Sequence, residues 1–366
     1  MWSDAFAVCN FLELFRHTHQ ERYRDMAIRL VDQVHSVLGR HRADDSRKGW
    51  ISGLSEKEGE KHPTAGGLRI GKKMNERKPD DPIDDRLEWD QDGQYFHYLT
   101  KWMHALNQVS RVTGNFTYNR WAAELAETAH KAFVYLPSQS TRKQMYWKMS
   151  IDLTYPLVPS MGHHDPLDGL ITFSQVQATR ESDPGKKTCP DLFSEITDMA
   201  AICDGKDWVT DDPLGLGGLL SDGYRTAQLV VAGGFRRMGL VEELSDASLV
   251  GLGLYAKGNP FRLPAAYRLA FRELGLSIGL NAVERLERLS ERKGTPFQGA
   301  EKLERLFASL APYMPFGKMI ETFWLEGTNQ KSDAWKEHRE INMVMLATSL
   351  APDGFLTLGE AVNRKT

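Results

Sequence analysis

Hydrophobic residues recur every three or four positions along several stretches of the chain. In the stretch "YFHYLTKWMHALNQVSRVTGN" they are Phe96, Leu99, Met103, Leu106 and Val109. This spacing lines one face of an α-helix. Gly114 then fits a helix end and Thr117 a helix beginning, and a second apolar stripe runs from Tyr118 to Ala132. The pattern predicts a helical hairpin.

A third apolar stripe runs from Tyr23 to Val37, and Gly39 lies where that helix would end. No long stretch alternates polar and apolar residues in the way that a half-buried strand does. The chain is therefore predicted to be all-α.

Three Asp-Pro or Asn-Pro pairs divide the second half of the chain at an equal interval of about 47 residues. They are Asp165-Pro166, Asp212-Pro213 and Asn259-Pro260. An Asp or Asn side chain can cap the free N–H groups of a helix, and proline in the first turn leaves no N–H unsatisfied. Each pair is therefore predicted to begin a helix, and the interval predicts a two-helix repeat.

A long connection between residues 43 and 92 interrupts the helical pattern. Structureless connections of this length are uncommon inside compact domains and are often functional. Its tryptophans, Trp50 and Trp89, and the segment "GGLRIGKK" argue against simple disorder. We expect a long loop folded over one mouth of the domain.

Successive helical hairpins with acidic, aromatic loops resemble the (α/α)6 toroids, in which six inner helices ring a central cavity. The segment "EWDQDGQYFHYLTKWMHAL" looks like the acidic loop that leads into an inner helix of such enzymes. The likeness covers nearly the whole chain, and it implies a single toroid domain over residues 1–366. Members include glycoside hydrolases, polysaccharide lyases and the N-acylglucosamine 2-epimerase family, so a carbohydrate-active enzyme is expected.

Composition and charge narrow the function further. The chain of 366 residues is 41% hydrophobic and 26% charged, and its formal net charge is −3. These values suit a folded domain and argue against nucleic-acid binding, which requires a basic surface. The three cysteines lack metal or redox spacing, and there is no export signal or long apolar span. We expect a cytoplasmic protein that does not insert into membranes.

No cofactor or metal is expected. The segment "GLGGLLSDG" follows Pro213 and has helical flanks, whereas a dinucleotide loop needs a preceding strand. The contiguous "HHD" segment lacks the separated ligands of a zinc site.

Acidic and aromatic side chains cluster just before the first predicted helix of the hairpin. The catalytic candidates there are Glu88, Asp90, Asp92 and His97, and Trp89 and Tyr95 are candidates for binding substrate. Cleavage of a glycosidic bond needs one protonated and one ionised carboxyl group, with aromatic faces to hold the sugar. Asp92 could equally be the N-cap of a helix.

The segment "SMGHHDPLDG" supplies a second group of candidates. Asp165 is explained by helix capping alone, whereas His163 and Asp168 are candidates for catalysis and His164 for substrate binding. Adjacent histidines point in different directions, so we expect one of the two to face a site.

The remaining substrate-binding candidates are Trp50, Arg69, Glu321, Trp324 and His338. A helix from Gly317 to Glu326 would place Glu321 and Trp324 on one face, because they are three residues apart. Arg69 could reach an anionic group of a sugar from the long loop.

These residues support three hypotheses about function. The first is a glycoside hydrolase that acts on a small or oligosaccharide substrate through paired carboxylates. The second is a sugar 2-epimerase or isomerase, in which His97 or His163 would work with His338 as an acid and base pair. The third is a helical repeat scaffold that binds a partner without catalysis.

Overall fold

The computed structural model describes residues 1–359. Contacts divide these residues into two compact units, of which the first contains Met1–Gly205 together with Gly359 and the second contains Lys206–Leu358. The prediction that the whole chain forms one domain stays a prediction.

The first unit consists of helices, two very small sheets and the long connection. Its helices are α1 (Trp2–Thr18), α2 (Glu21–Leu38), α3 (Glu56–Lys61), α4 (Asp85–Glu88), α5 (Phe96–Thr113), α6 (Thr117–Phe133), α7 (Asp165–Arg180) and α8 (Phe193–Cys203). Its strands are β1 (Gln94–Tyr95), β2 (Val134–Tyr135), β3 (Gln144–Met145), β4 (Lys148–Met149) and β5 (Pro156–Val158). Strands β1, β4 and β5 form one antiparallel sheet in the order β1-β4-β5, and β2 pairs with β3.

Three helices of the first unit pack side by side, and each has a partner helix. Helix α5 packs against both α1 and α7, while α2, α6 and α8 pack on α1, α5 and α7 respectively. The apolar stripe of α5 is fully buried between these neighbours. The predicted hairpin is confirmed, with Gly114 in the left-handed conformation at the end of α5 and α6 beginning at Thr117.

The second unit is helical throughout its regular secondary structure. Its helices are α9 (Pro213–Val231), α10 (Gly239–Lys257), α11 (Ala270–Ser290), α12 (Glu301–Leu310), α13 (Pro315–Leu325), α14 (Asp333–Glu337), α15 (Arg339–Leu350) and α16 (Asp353–Leu356). Helices α9 and α11 approach most closely where Gly217 meets Gly275 and Gly279. A Cβ atom at Gly217 would lie 2.0 Å from the carbonyl oxygen of Gly275. Within "GLGGLLSDG", Gly217 therefore serves helix packing.

The predicted all-α class is confirmed, and the helical pairing within each unit is consistent with an all-α toroid. The predicted repeat is only partly correct. Asp212 caps α9 by accepting a hydrogen bond from the backbone N–H of Gly215, and α7 begins at Asp165. The prediction is wrong for the third pair, which begins no α-helix. Asn259 adopts a left-handed φ of 50°, so the chain makes only a short 3-10 turn there, and α11 begins at Ala270.

The long connection is ordered by contacts with α6 and with the residues around the end of α2. The Thr64 hydroxyl donates to the carbonyl of Trp121, and the Trp121 indole donates to the carbonyl of Lys61. The guanidinium of Arg69 donates to the carbonyl groups of Val37 and Arg40. These contacts agree with the expectation that the segment is not simply disordered, and its position over a cavity mouth stays a prediction.

A buried histidine joins α2 to α5 and α6. The indole of Trp102 donates a hydrogen bond to Nε2 of His35 at 3.0 Å, and the Trp121 ring packs edge-on against the imidazole. Burial lowers the pKa of His35 to about 3. Nε2 must therefore stay unprotonated in the folded state.

We predict that His35 makes the folded state sensitive to acid. The pKa of His35 is lower in the folded than in the unfolded chain. Its contribution to the free energy of unfolding is therefore complete above pH 6.5 and is lost as the pH falls towards 3. Between pH 7 and pH 4.5 the loss is about 2–3 kcal/mol. Urea unfolding at the two pH values should show this loss reduced in His35→Gln. The exposed His19→Asn variant should retain it, and an unchanged loss in His35→Gln would contradict the assignment.

Candidate functional site

The candidate site lies where β1 passes directly into α5. Pairing of Tyr95 with Lys148 fixes the register of β1 against β4, and the N–H of Phe96 donates to the carbonyl of Trp147. Gly93 has a φ of 145°, and a Cβ atom there would lie 2.8 Å from the carbonyl oxygen of Met149. Glycine is therefore required for the sheet to approach the start of α5.

Aromatic rings surround His97 in the first turn of α5. Its ring centroid lies 5.3 Å from that of Tyr95 and 4.9 Å from that of Tyr98. The Trp147 ring stacks nearly parallel to the imidazole at 6.2 Å. The imidazole therefore sits in a recess formed mainly by aromatic surfaces.

The recess strongly disfavours the charged form of His97. The side chain keeps 27% of its exposure, yet removal of water by the surrounding groups lowers the pKa of His97 to about 4. Nδ1 is buried, has no hydrogen-bond partner among the described residues and lies 3.8 Å from Oδ1 of Asp165. His97 is thus a neutral imidazole at neutral pH, beside a carboxylate that would stabilise its protonated form.

A second pair of charges lies one helical turn farther along the same two helices. Lys101 follows His97 by four residues on α5, and Asp168 follows Asp165 by three on α7. The ammonium of Lys101 lies 2.6 Å from a carboxylate oxygen of Asp168, and both side chains are largely buried. The α5 and α7 interface therefore carries two adjacent pairs of a nitrogen base and a carboxylate.

The adjacent histidines precede this interface. The rings of His163 and His164 are 4.5 Å apart and tilted, His163 is exposed, and His164 is the N-cap residue of α7. Asp165 lies in the first turn of α7 instead of at the predicted cap position. The structure thus places both histidines immediately before Asp165, and their roles stay predictions.

The structure changes the interpretation of Glu88. Its carboxylate is buried and lies 2.8 Å from Nε of Arg77 and 3.1 Å from Nζ of Lys148. Because its two cationic partners enclose the carboxylate, the geometry supports a structural role for Glu88 and not the predicted catalytic one. Asp90, two residues farther along, is exposed.

Asp92 is likewise part of an internal ion-pair network. One carboxylate oxygen lies 2.9 Å from Arg69 and 3.3 Å from Arg42, and the other accepts from the backbone N–H groups of Gly71 and Gly93. The carboxylate is fully buried. It therefore connects the long connection to the start of α5, and neither Asp92 nor Arg69 is available as predicted to a substrate.

The two predicted tryptophan platforms of the long connection differ in exposure. Trp50 is 5% exposed, lies beneath the guanidinium of Arg40 and packs against Gly59, so it supports the fold instead of binding substrate. Trp89 is 56% exposed and meets Trp147 edge-on at 5.7 Å. Trp89 thus remains a candidate for binding substrate.

Two of the three candidates in the second unit are buried, and the third, His338, is partly exposed. Trp324 is fully buried, donates to Glu273 at 2.7 Å and stacks on Trp335, so it is not available as a sugar platform. Glu321 is buried and accepts a hydrogen bond from Ser277 at 2.8 Å. His338 packs edge-on against Phe271 in the segment between α14 and α15.

Sequence reasoning missed four residues of the candidate site, of which Asp165 was explained as a helix cap. Lys101 could have been found, because it lies four residues after His97 on the same helical face. Trp147 and Tyr98 carry no comparable signal, since their positions depend on the register of a two-residue strand pair and on the packing of α5.

Comparisons with known proteins give little additional information. No family model matches the chain, and no curated protein matches it. A solved structure described as "Crystal structure of sugar epimerase from ruminal bacterium" matches with a TM-score of 0.45 and 10% sequence identity. The match covers 85% of this chain and 74% of that chain. Similarity at this level does not support a functional assignment.

Among residues 1–359, no helix combines the length and the apolar character that crossing a membrane requires. The same residues contain no group of three or more His, Cys, Asp or Glu side chains placed to hold a metal ion.

We predict that Asp92 is needed for stability. Asp92→Asn leaves two largely buried guanidinium groups without their shared, fully buried carboxylate and should lower the free energy of unfolding by about 3–5 kcal/mol, measured by urea denaturation. Asp44→Asn removes an exposed partner of the same Arg42 and should have a far smaller effect. Equal effects of the two variants would show that burial of Asp92 contributes nothing to the free energy of unfolding.

We also predict the signs of electrostatic effects on His97. NMR titration of its ring should give a pKa of about 4. Asp168→Asn should lower this pKa further, because the carboxylate favours the protonated ring, and Lys101→Met should raise it. A His97 pKa near 6.5 in the unmodified protein would contradict the proposed desolvation.

Proposed function

We propose that the chain is a carbohydrate-active enzyme that moves a proton on a sugar, as an epimerase or isomerase does, with His97 as the acid and base. The observation that carries the proposal is the neutral imidazole of His97 in an aromatic recess beside Asp165. Aromatic faces suit the C–H surfaces of a sugar, and carboxylate and ammonium groups suit its hydroxyls.

The proposed reaction begins with removal of a proton from the carbon next to the carbonyl group of an open-chain sugar. Nitrogen of His97 takes the proton, the electrons of the C–H bond form a carbon–carbon double bond, and the carbonyl oxygen gains negative charge. When the intermediate turns its opposite face to His97, return of the proton to the same carbon gives an epimer. Return of the proton to the former carbonyl carbon, with transfer of the neighbouring hydroxyl proton to the former carbonyl oxygen, gives an isomer. The proton count balances without any further reactant.

Neighbouring charges have distinct roles in this scheme. A base with a pKa of about 4 is weak, so proton transfer depends on groups that stabilise the imidazolium as it forms. Asp168, whose charge favours the protonated ring, and Asp165, at 3.8 Å, supply that stabilisation. Lys101, held by Asp168 one turn away, supplies positive charge for the developing oxyanion.

The geometry offers less support for a hydrolase that uses Glu88 and Asp92. A glycosidase needs one carboxyl group that donates a proton and one that attacks or activates water, and both must reach the sugar. Glu88 and Asp92 are enclosed by arginine and lysine partners instead. Asp165 and Asp168, three residues apart on α7, keep hydrolysis as the second candidate.

The test follows solvent exchange and product formation by NMR in D2O. The substrates are glucose, mannose, galactose, N-acetylglucosamine and the disaccharides cellobiose, lactose and maltose. We expect deuterium to enter the carbon next to the carbonyl group and a new epimer or ketose to form. His97→Gln should lower the rate by about 100-fold or more, because general base catalysis contributes at least that factor.

The matched control is His130→Gln. His130 also lies near an aspartate, with Nε2 3.0 Å from Asp198, but it belongs to α6 and α8 and not to the aromatic recess. Its replacement should leave the exchange rate unchanged. A new reducing end without deuterium incorporation would favour the hydrolase, and absence of both reactions would favour the non-catalytic scaffold.

A further inference from the structure

We infer that Asn107 is a positioning residue of the candidate site, although it lies about three helical turns from His97 along α5. It fixes α7 against α5, so that the carboxylates of Asp165 and Asp168 stand at a set distance from the imidazole. Its effect on catalysis rests on the proposed function, whereas its effect on the imidazole can be measured without a substrate.

The separation between His97 and Asp165 is not set by a bond between the two side chains. Nδ1 of His97 and Oδ1 of Asp165 lie 3.8 Å apart, which is beyond hydrogen-bonding distance. The ion pair of Lys101 with Asp168, at 2.6 Å, ties the two helices together one turn farther along. A single tie lets two helices pivot about it, so a second contact farther along is needed to hold them.

Asn107 supplies this second contact. Its Oδ1 accepts hydrogen bonds from Nε2 of Gln175 at 2.7 Å and from Nε of Arg111 at 2.9 Å. Its Nδ2 donates to Oδ1 of Asn119 at 2.7 Å and to Oγ1 of Thr179 at 2.8 Å. A carboxamide has two donor hydrogens and two acceptor lone pairs, so every hydrogen-bonding position of Asn107 is occupied. This one side chain joins α5 to α6 once and to α7 twice.

Burial makes the arrangement strict. Asn107 and Gln175 are fully buried, and Thr179 is almost fully buried. Nδ1 of His104 lies 3.0 Å from Oε1 of Gln175, which adds another polar contact between the same two helices. Sliding α7 by one residue, a rise of about 1.5 Å, would break these bonds and leave buried polar groups without partners. The two helices therefore have one favoured register.

The same register governs the candidate site. Contacts between α5 and α7 follow one another along both helices in the order His97 with Asp165, Lys101 with Asp168, His104 with Gln175 and Asn107 with Thr179. Residue numbers rise together on both helices, so the helices run in the same direction and share one register along the whole series. The bonds of Asn107 therefore help to set where Asp165 and Asp168 stand beside His97.

Two variants weaken this attachment to different extents. Asn107→Leu removes all four hydrogen bonds and can prevent folding. Gln175→Met removes one of the two links from Asn107 to α7 and leaves the bonds of Asn107 to Asn119 and Thr179 in place. Urea unfolding at pH 7 verifies that each variant is folded, and Gln175→Met decides the test if Asn107→Leu is not.

The experiment measures how strongly Asp168 acts on the ring of His97. NMR titration gives the pKa of His97 with and without Asp168→Asn, and the difference between the two values is the coupling. It is determined in the unmodified protein, in the two variants and in Trp102→Phe. Trp102 is the matched control, because it is a buried residue of the same helix α5 whose indole donates to a side chain of α2 and not of α7.

We expect the coupling to fall to about half or less in Gln175→Met and in folded Asn107→Leu, because a helix that slides no longer holds the carboxylate at one distance. The rate of deuterium exchange with the sugar substrate should fall about tenfold with little change in KM, since misplaced groups affect the reacting geometry more than binding. Trp102→Phe should change neither quantity. An undiminished coupling in Gln175→Met, or an equal loss in Trp102→Phe, would overturn the inference.

Failure of the proposed function gives a different result. If the coupling falls in Gln175→Met but the unmodified protein catalyses no deuterium exchange, the positioning role stands and the epimerase or isomerase activity is wrong. If exchange occurs and the coupling is unchanged in Gln175→Met, the activity stands and the positioning role of Asn107 is wrong.

Discussion

The fully buried carboxylate of Asp92 is the constraint on which the arrangement of the first unit depends. It holds two guanidinium groups, Arg42 and Arg69, and two backbone N–H groups at the point where the long connection returns to α5. Unpaired, each of these buried charges would cost several kcal/mol, so the segment is stable only when all the partners are in place. The beginning of α5, and with it the backbone of His97, is fixed by this requirement.

Fixing the start of α5 creates the chemical environment of His97. Strand β1 pairs with β4, so Trp147 is brought over the imidazole while Tyr95 and Tyr98 enclose its sides. Removal of water then lowers the pKa of His97 to about 4, although Asp165 and Asp168 lie on the neighbouring helix. Desolvation outweighs carboxylate attraction here because the distance of 3.8 Å between Nδ1 of His97 and Oδ1 of Asp165 is too long for a close ion pair. A neutral base with compensating charges nearby is the result.

Acidic residues with similar sequence surroundings acquired different roles. Glu88 and Asp92 flank a tryptophan in a pattern that suits sugar cleavage, yet both are enclosed by arginine or lysine. Asp165, which the sequence alone explains as a helix cap, lies 3.8 Å from His97. The decisive partners of Glu88 are Arg77 and Lys148, the latter 60 residues away along the chain. A local motif cannot reveal a pairing between residues that far apart, because the pairing depends on how the long connection folds back.

The sequence by itself determined the all-α class, the α5 and α6 hairpin with its glycine end, and the cap of α9 at Asp212. Those features depend on contacts within three or four residues, which periodicity and capping describe directly. It also indicated His97, Trp89 and Asp168 as candidates. Only the tertiary structure decided which carboxylates are enclosed, where Trp147 lies and why the third Asn-Pro pair begins no long helix. The first two outcomes depend on distant ion pairs and on strand register, which are set by packing between segments far apart in sequence. The third depends on the left-handed backbone of Asn259, a conformation that the residue type alone does not impose.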